Sequence, residues 1–239
     1  LGDDAVTGHV GDFSDWTADL AHFWSAWKAA TPGPHILAGH SMGGHLVLRA
    51  LVDGLVAPDA AILSAPMVGM AGPPLPLGVL HAAARLMTKV GKPTRPAWKW
   101  SEKPGEMPAD RSDLLTHDGA RYADELWWRE QRPELVMGPG SWGWLERAYA
   151  SSRRLEERGA MENVQVPVLV VSTAADRLVS HASAFSRHLC PSLALRSAAL
   201  NQRAQGKPGA DRTHGPRVVK NAGGRTTGVT GNNPAFPAR

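Results

Sequence analysis

Apolar positions along the first part of the chain alternate between helical and strand-like spacing. Residues 14–31 carry large apolar side chains three and four positions apart, which predicts an amphipathic helix with Ser14 or Asp15 as its N-cap. A short apolar run at 35–38 predicts a strand that is buried on both faces. Helical spacing returns at residues 42–52, so this strand leads almost directly into a second helix.

A glycine and two further apolar runs complete the predicted order of elements. Gly54 is expected to end the second helix. Residues 60–63 and 167–171 are aliphatic, and the second run is the most strand-like stretch of the chain because it is rich in valine. Strands that alternate with helices favour a parallel sheet in an α/β fold.

The segment between these two strands has a different character. It holds six of the nine tryptophans and shows helical spacing near 76–90, 119–130 and 142–158, with no convincing strand. We interpret it as a helical cap over one edge of the sheet, whose tryptophans form its core or line an apolar ligand pocket. The predicted division is a core of residues 1–67 and 161–200, a cap of residues 68–160, and a tail of residues 201–239.

Charge sets the tail apart from the rest of the chain. Residues 201–239 hold seven Lys or Arg and one Asp, whereas the first 200 residues hold 19 Lys or Arg against 21 Asp or Glu. The tail has too few apolar side chains to offset the entropy of ordering, so we expect it to be disordered. Because the basic balance belongs to the tail, the body gives no reason to expect a nucleic-acid partner.

The cysteine count, the length of the apolar runs and the histidine spacing exclude several kinds of site and segment. A single cysteine, Cys190, excludes a disulfide within the chain and a zinc site built from cysteines. No apolar run approaches the roughly 18 to 20 residues of a membrane-spanning helix. The histidines show no metal-ligand spacing with carboxylates, so we predict no metal and no cofactor.

The sharpest motif is Gly39-His40-Ser41-Met42-Gly43, which fits the pattern G-x-S-x-G between a predicted strand and a predicted helix. A serine on such a tight turn has a strained backbone, so the residues two positions away must be small, as Gly39 and Gly43 are. The turn would expose the Ser41 hydroxyl at a helix N-terminus, where the N–H of Met42 becomes an oxyanion donor. The alternative is a glycine-rich turn that only permits close packing of strand and helix.

A serine nucleophile needs a base, which is usually a histidine oriented by a carboxylate. Asp176 follows the third predicted strand and is the expected acid, with a helix N-cap or a solvated loop residue as the alternative. His181 and His188 fall in a predicted helix and are expected to point along it. His214 in the polar tail is the tentative base, with a solvated tail residue as the alternative.

Several separated motifs occur in the order found in one large superfamily. They are Gly8-His9-Val10-Gly11, Leu37-Ala38-Gly39-His40-Ser41-Met42-Gly43-Gly44, Ser64-Ala65-Pro66, Gly143-Trp144-Leu145 and Asp176-Arg177-Leu178. On these motifs the chain resembles the α/β-hydrolases, and within them the bacterial lysophospholipase and monoacylglycerol-lipase group of serine aminopeptidase-like hydrolases. The resemblance implies an α/β-hydrolase fold with a mostly parallel sheet and a helical cap. It also implies hydrolysis of a carboxylic ester through an acyl-enzyme on Ser41, with Asp176 as the triad acid.

Two departures from that family bear on activity. Only 40 residues precede Ser41, so we expect the sheet to lack the family's N-terminal strands and the loop that supplies a second oxyanion donor. The family's histidine would fall near residues 203–208, where this sequence has none. We predict a serine hydrolase of lipid-like esters, of lysophospholipase or monoacylglycerol-lipase type. The alternatives are a catalytically impaired fragment of such a hydrolase, or an acyltransferase or serine aminopeptidase with the same nucleophile.

Partners and location follow from this function. The expected partner is a small lipid-like ester, with transient contact at a membrane surface and no nucleic acid. We expect a cytoplasmic protein, at most peripheral to the membrane. The chain begins with Leu1 and not with methionine, which leaves a lost signal segment as an open alternative.

Overall fold

The computed structural model describes residues 8–70, 75–98, 118–135, 138–184 and 198–199. The chain separates into two units, residues 1–201 and 202–239, and every described residue lies in the first. The helices are α1 (Phe13–Ala30), α2 (Met42–Val52), α3 (Leu77–Val90), α4 (Gly119–Gln131), α5 (Trp142–Leu155) and α6 (His181–Ala184). The strands are β1 (Ile36–His40), β2 (Ala60–Ser64), β3 (Val168–Ser172) and β4 (Ala198–Ala199).

The four strands form one parallel sheet in the order β1-β2-β3-β4. Gly39 lies opposite Leu63 across β1 and β2, and Leu63 lies opposite Val170 across β2 and β3. Because all strands run the same way, the carboxyl ends of β1, β2 and β3 meet at one edge of the sheet. The predicted α/β fold with a parallel sheet is confirmed.

Two strands differ from the sequence-based prediction. In β1 only Leu37 faces the core, where it packs with Trp24 and Leu48, while Ile36 and Ala38 are exposed. The expected burial of this strand on both faces was therefore wrong, because its apolar run does not show which face the helices cover. β4 was not predicted, since a pair of alanines carries little strand signal.

Helix ends follow local side-chain chemistry. α2 spans the predicted residues, and Gly54 adopts φ 68° while its N–H donates to the carbonyl of Leu51, as predicted for a C-terminal stop. The predicted cap of α1 was wrong, because Asp12 caps it in place of Ser14 or Asp15. The Asp12 carboxylate accepts a hydrogen bond from the Ser14 N–H at 2.8 Å, and this bond holds the pKa of Asp12 below its usual value.

Three helices, α3 to α5, coincide with the helical segments predicted for the cap to within three residues. A buried hydrogen bond joins α3 to α5, where His81 Nε2 lies 3.0 Å from Glu146 Oε1. Two of the tryptophans do not pack into a cap core as expected. Trp127 and Trp128 on α4 are about half exposed, at 51% and 53%, because that helix has only one buried side chain.

Several predictions concern residues outside the described ranges. They include the predicted disorder of residues 201–239 and any role of Cys190. Among the described residues, no helix combines the length and apolar character needed to cross a membrane. Within the same ranges, no group of three or more His, Cys, Asp or Glu side chains could hold a metal ion.

A buried histidine connects α2 to the cap. His45 Nδ1 lies 2.8 Å from the Met67 carbonyl, and Nε2 lies 2.7 Å from the Ser151 hydroxyl on α5. Arg49 donates to the same hydroxyl oxygen at 2.5 Å. A carbonyl only accepts and a guanidinium only donates, so Ser151 donates its proton to His45 Nε2 and His45 donates from Nδ1. Burial lowers the pKa of His45 to about 4, although the Met67 hydrogen bond opposes this effect.

We expect the free energy of unfolding to fall as the pH is lowered from 6.5 to about 4. The unfolded chain has an ordinary histidine pKa near 6.5, and the folded chain holds that of His45 at about 4. The unfolded state therefore binds the extra proton in this window. The loss from this one side chain is about 3 kcal/mol.

Urea unfolding across this pH range checks the prediction. The His45→Gln variant should lose the pH dependence that His45 supplies, and its profile should be flatter by that amount. His22→Gln, changed at an exposed histidine on α1, is the matched control and should keep the parent's profile. A His45→Gln profile as steep as that of the parent chain would contradict the prediction.

Candidate active site

Ser41 occupies the turn between β1 and α2. Its backbone has φ 51° and ψ −117°, a positive-φ conformation that is strained for any residue with a Cβ. The preceding residue ends a parallel strand and the following residue begins a helix, as the nucleophile-elbow pattern requires. Strained backbone of this kind persists only where the surrounding contacts enforce it.

Three backbone hydrogen bonds enforce the conformation of Ser41. Its N–H donates to the carbonyl of Ser64 at 2.9 Å, and its carbonyl accepts from the N–H groups of His45 at 3.1 Å and Met67 at 3.0 Å. The side chain is half-buried and makes no capping hydrogen bond to α2. The backbone is thus fixed from both neighbouring segments, while the hydroxyl is not used to cap the helix.

The glycines around Ser41 have different roles. A Cβ on Gly39 would lie 2.5 Å from the carbonyl oxygen of Gly43, closer than packing allows. A Cβ on Gly44 would lie 3.0 Å from the Gly39 carbonyl oxygen and 3.2 Å from Pro66. A Cβ on Gly43 would meet no described atom within 4 Å, so the prediction that residue 43 must be small was wrong. The tight contact is between the Cβ position of Gly39 and the backbone of Gly43.

We expect Gly39→Ala to destabilise the fold by about 3 kcal/mol, because its methyl group forces backbone atoms apart. Gly43→Ala is the matched control in the same motif. It should be neutral or stabilise by up to about 1 kcal/mol, because alanine favours a helix and the methyl group has free space. Urea unfolding of both variants measures the difference. Equal effects of the two substitutions would contradict the steric argument.

Met42 is the first residue of α2, so its N–H has no acceptor within the helix. The helix dipole adds a partial positive charge at this end. The Met42 side chain packs against an apolar cluster that includes Phe13, Met67 and Val179. The backbone donor therefore lies beside the serine, at a position where it could hold developing negative charge.

Asp176 lies on the loop that follows β3. Its Oδ1 accepts hydrogen bonds from the N–H groups of Leu178 at 2.8 Å and Val179 at 2.9 Å. α6 begins five residues later, at His181, so Asp176 is not a helix N-cap. Oδ2 has no hydrogen-bond partner among the described residues. One carboxylate oxygen thus shapes the loop and the other is left for a further partner.

Ser41 and Asp176 lie at the same edge of the sheet, after β1 and β3, with β2 between them. The segment that follows β2 contacts both loops. Met67 donates its N–H to the Ser41 carbonyl at 3.0 Å, and Ser180 donates its N–H to the Gly69 carbonyl at 2.8 Å. The expected placement of the two residues on one side of the molecule agrees with this arrangement.

A cavity of about 510 Å³ opens beside Asp176. Ser41 is not itself among the residues that line it, but Val68, next to the Ser41-bound Met67, is. Tyr149 and Glu156 from α5 and its C-cap also line the cavity. The sequence analysis did not identify them, although their seven-residue spacing places both on one face of a helix. Burial raises the pKa of Tyr149. The other lining residues are Gly69, Met70, Leu75, Leu77, Leu80, Ala174, Val179, Ser180, His181 and Ser183.

No histidine in the described ranges is hydrogen-bonded to Ser41 or Asp176. The prediction that His181 points along its helix was wrong. Its Nδ1 lies 3.0 Å from the Ser172 hydroxyl, and the residue lines the cavity. His40 is exposed, with Nδ1 3.3 Å from the Ser64 hydroxyl. His188 and the tentative base His214 lie outside the described residues.

Comparisons with known proteins agree on one fold. The sequence model of the family described as serine aminopeptidase, S33, matches residues 2–204. Lysophospholipase L2 of Escherichia coli strain K12 is 28% identical over 190 residues, which cover 74% of this chain and 52% of that protein. A carboxyl esterase from Bacillus coagulans has a TM-score of 0.60 at 15% identity, covering 80% of this chain and 64% of that structure. A soluble variant of monoglyceride lipase from Saccharomyces cerevisiae has a TM-score of 0.56 at 21% identity, covering 83% of this chain and 65% of that structure.

These matches carry different weight. The family match spans most of the chain, whereas the two solved structures are so distant in sequence that they support the fold alone. The chain spans about half the length of the curated relative it matches. The chemistry of this chain therefore has to be argued from its own residues.

Proposed function

Because the chain belongs to the serine aminopeptidase S33 family of α/β-hydrolases, we propose that it cleaves the carboxylic ester of a lipid-like substrate through an acyl-enzyme on Ser41. The observation that carries the proposal is the strained Ser41 backbone, at φ 51° between a parallel strand and a helix N-terminus. Strain of this kind costs about 1 to 3 kcal/mol and is concentrated at functional sites.

The proposed reaction assigns one role to each residue. Ser41 Oγ attacks the ester carbonyl carbon while its proton passes to a histidine, and the carbonyl oxygen becomes an oxyanion held by the Met42 N–H. The tetrahedral intermediate collapses, the alcohol leaves with that proton, and water then releases the fatty acid. Asp176 Oδ2 would orient that histidine; the tentative base, His214, lies outside the described residues.

The substrate class follows from the cavity and from the relatives. The lining of the cavity combines apolar side chains such as Met70 and Leu80 with hydroxyls such as Ser180 and Tyr149. This combination suits a ligand with an apolar chain and a polar head. The Escherichia coli relative is named a lysophospholipase, and the yeast structure is a monoglyceride lipase. We therefore propose a monoacyl ester as the substrate.

Product analysis on the full chain tests this function. Incubation with a monoacyl ester should release free fatty acid and alcohol in equal amounts. An acyltransferase would instead move the acyl group to an added alcohol acceptor, and a serine aminopeptidase would cleave aminoacyl amides and leave the lipid ester intact. Absence of turnover on all three substrate types, with the chain folded, would favour the alternative of a catalytically impaired fragment.

A further inference from the structure

The cavity beside Asp176 has an uneven distribution of charge. Its described lining includes two carboxylates, Asp176 and Glu156, and no lysine or arginine. The carboxylates come from different parts of the fold, one from the loop after β3 and one from the end of α5. A ligand head group in this cavity would therefore meet negative charge from the sheet side and from the cap side.

The position of Glu156 is not explained by the stability of its helix. It is the C-cap residue of α5, where the helix dipole disfavours a negative charge. Glu156 forms no ion pair with any described residue. The neighbouring Arg154 instead pairs with Asp53 at 3.2 Å and with Glu157 at 2.8 Å. Among the described residues, the carboxylate of Glu156 at the cavity therefore has no positively charged partner.

We propose that this cavity selects an uncharged polar head group, as in a monoacylglycerol, and disfavours a head group that bears a phosphate. The inference rests on the proposed function, since it assigns the cavity to the substrate. The carboxylates of Asp176 and Glu156 repel a phosphate, whereas the hydroxyls of a glycerol moiety find acceptors in Glu156, Ser180 and Tyr149. Apolar side chains from α3, such as Leu77 and Leu80, would contact the acyl chain.

Binding of non-hydrolysable ligands tests the proposal without requiring turnover. The full chain carrying Ser41→Ala is titrated with 1-O-dodecylglycerol and with dodecyl phosphate, which share one alkyl chain, below their micelle concentrations at low salt. The glycerol ether should bind about tenfold more tightly or better. Glu156→Gln should tighten dodecyl phosphate binding by about fivefold, a modest change because the residue is exposed and its charge is screened. Binding of the neutral ether should stay within about twofold.

Glu157→Gln is the matched control, because it removes the same charge one residue away and does not line the cavity. It should leave the preference for the ether unchanged. Tighter binding of dodecyl phosphate than of the ether in the parent, or equal effects of the Glu156 and Glu157 substitutions, would overturn the proposal. If the ether is preferred but the unsubstituted chain cleaves no ester, the proposed function fails and the charge selectivity of the cavity stands.

Discussion

Replacing Ser41 by alanine is expected to abolish ester hydrolysis, with a fall in turnover of up to about 10⁶-fold relative to the parent chain. The reason is that the hydroxyl oxygen forms the acyl-enzyme, and no neighbouring group on the elbow can substitute for it. The fold should survive, since alanine meets the same positive φ as serine and the three backbone hydrogen bonds of residue 41 remain. Covalent labelling by a fluorophosphonate measures the same hydroxyl independently of any substrate and should disappear as well.

Ser64→Ala is the control for this experiment. Ser64 ends β2 at the same edge of the sheet, and its hydroxyl lies 3.3 Å from His40 Nδ1. Alanine keeps the Ser64 carbonyl that accepts the Ser41 N–H, so the elbow keeps its shape. That variant should label like the parent. Labelling that persists in Ser41→Ala would show that another nucleophile reacts, and it would remove the basis of the proposed mechanism.

Asp176→Asn is expected to lower turnover by about 10⁴-fold while the fold is retained. The asparagine carbonyl oxygen can still accept the two hydrogen bonds from the N–H groups of Leu178 and Val179, so the loop keeps its shape. What disappears is the negative charge that would stabilise a protonated histidine during the reaction. Turnover and urea unfolding, measured on the same samples, separate the catalytic role from the structural one.

The matched substitution is Asp59→Asn. Asp59 precedes β2 at the opposite edge of the sheet, and its carboxylate accepts the His35 N–H at 2.6 Å. The asparagine oxygen can still accept that hydrogen bond, so this variant should keep both its fold and its turnover. If Asp176→Asn retained more than a tenth of the parent activity, Asp176 would be a loop-shaping residue and the acid of the site would have to lie elsewhere.

Part of this architecture could be predicted from the sequence because it depends on neighbours along the chain. Apolar periodicity is a local property, and it predicted the limits of α2, its stop at Gly54 and the helices of the cap. The elbow is local as well, since the strand, the strained Ser41 and the helix follow one another within a few residues. The parallel order of the strands follows from their alternation with helices.

What only the tertiary structure decided concerns residues far apart in the chain. Gly44, and not Gly43, proved to be the second tight position, because Pro66 from the segment after β2 packs against it. His45 is a neutral, buried histidine that joins α2 to α5, because it is hydrogen-bonded to Ser151, which is 106 residues away in the sequence. Glu156 lines a cavity with Asp176 only because the end of α5 lies near the loop that follows β3. Residue spacing along a sequence does not predict such long-range contacts, because the free energy that selects them arises when distant surfaces are buried together.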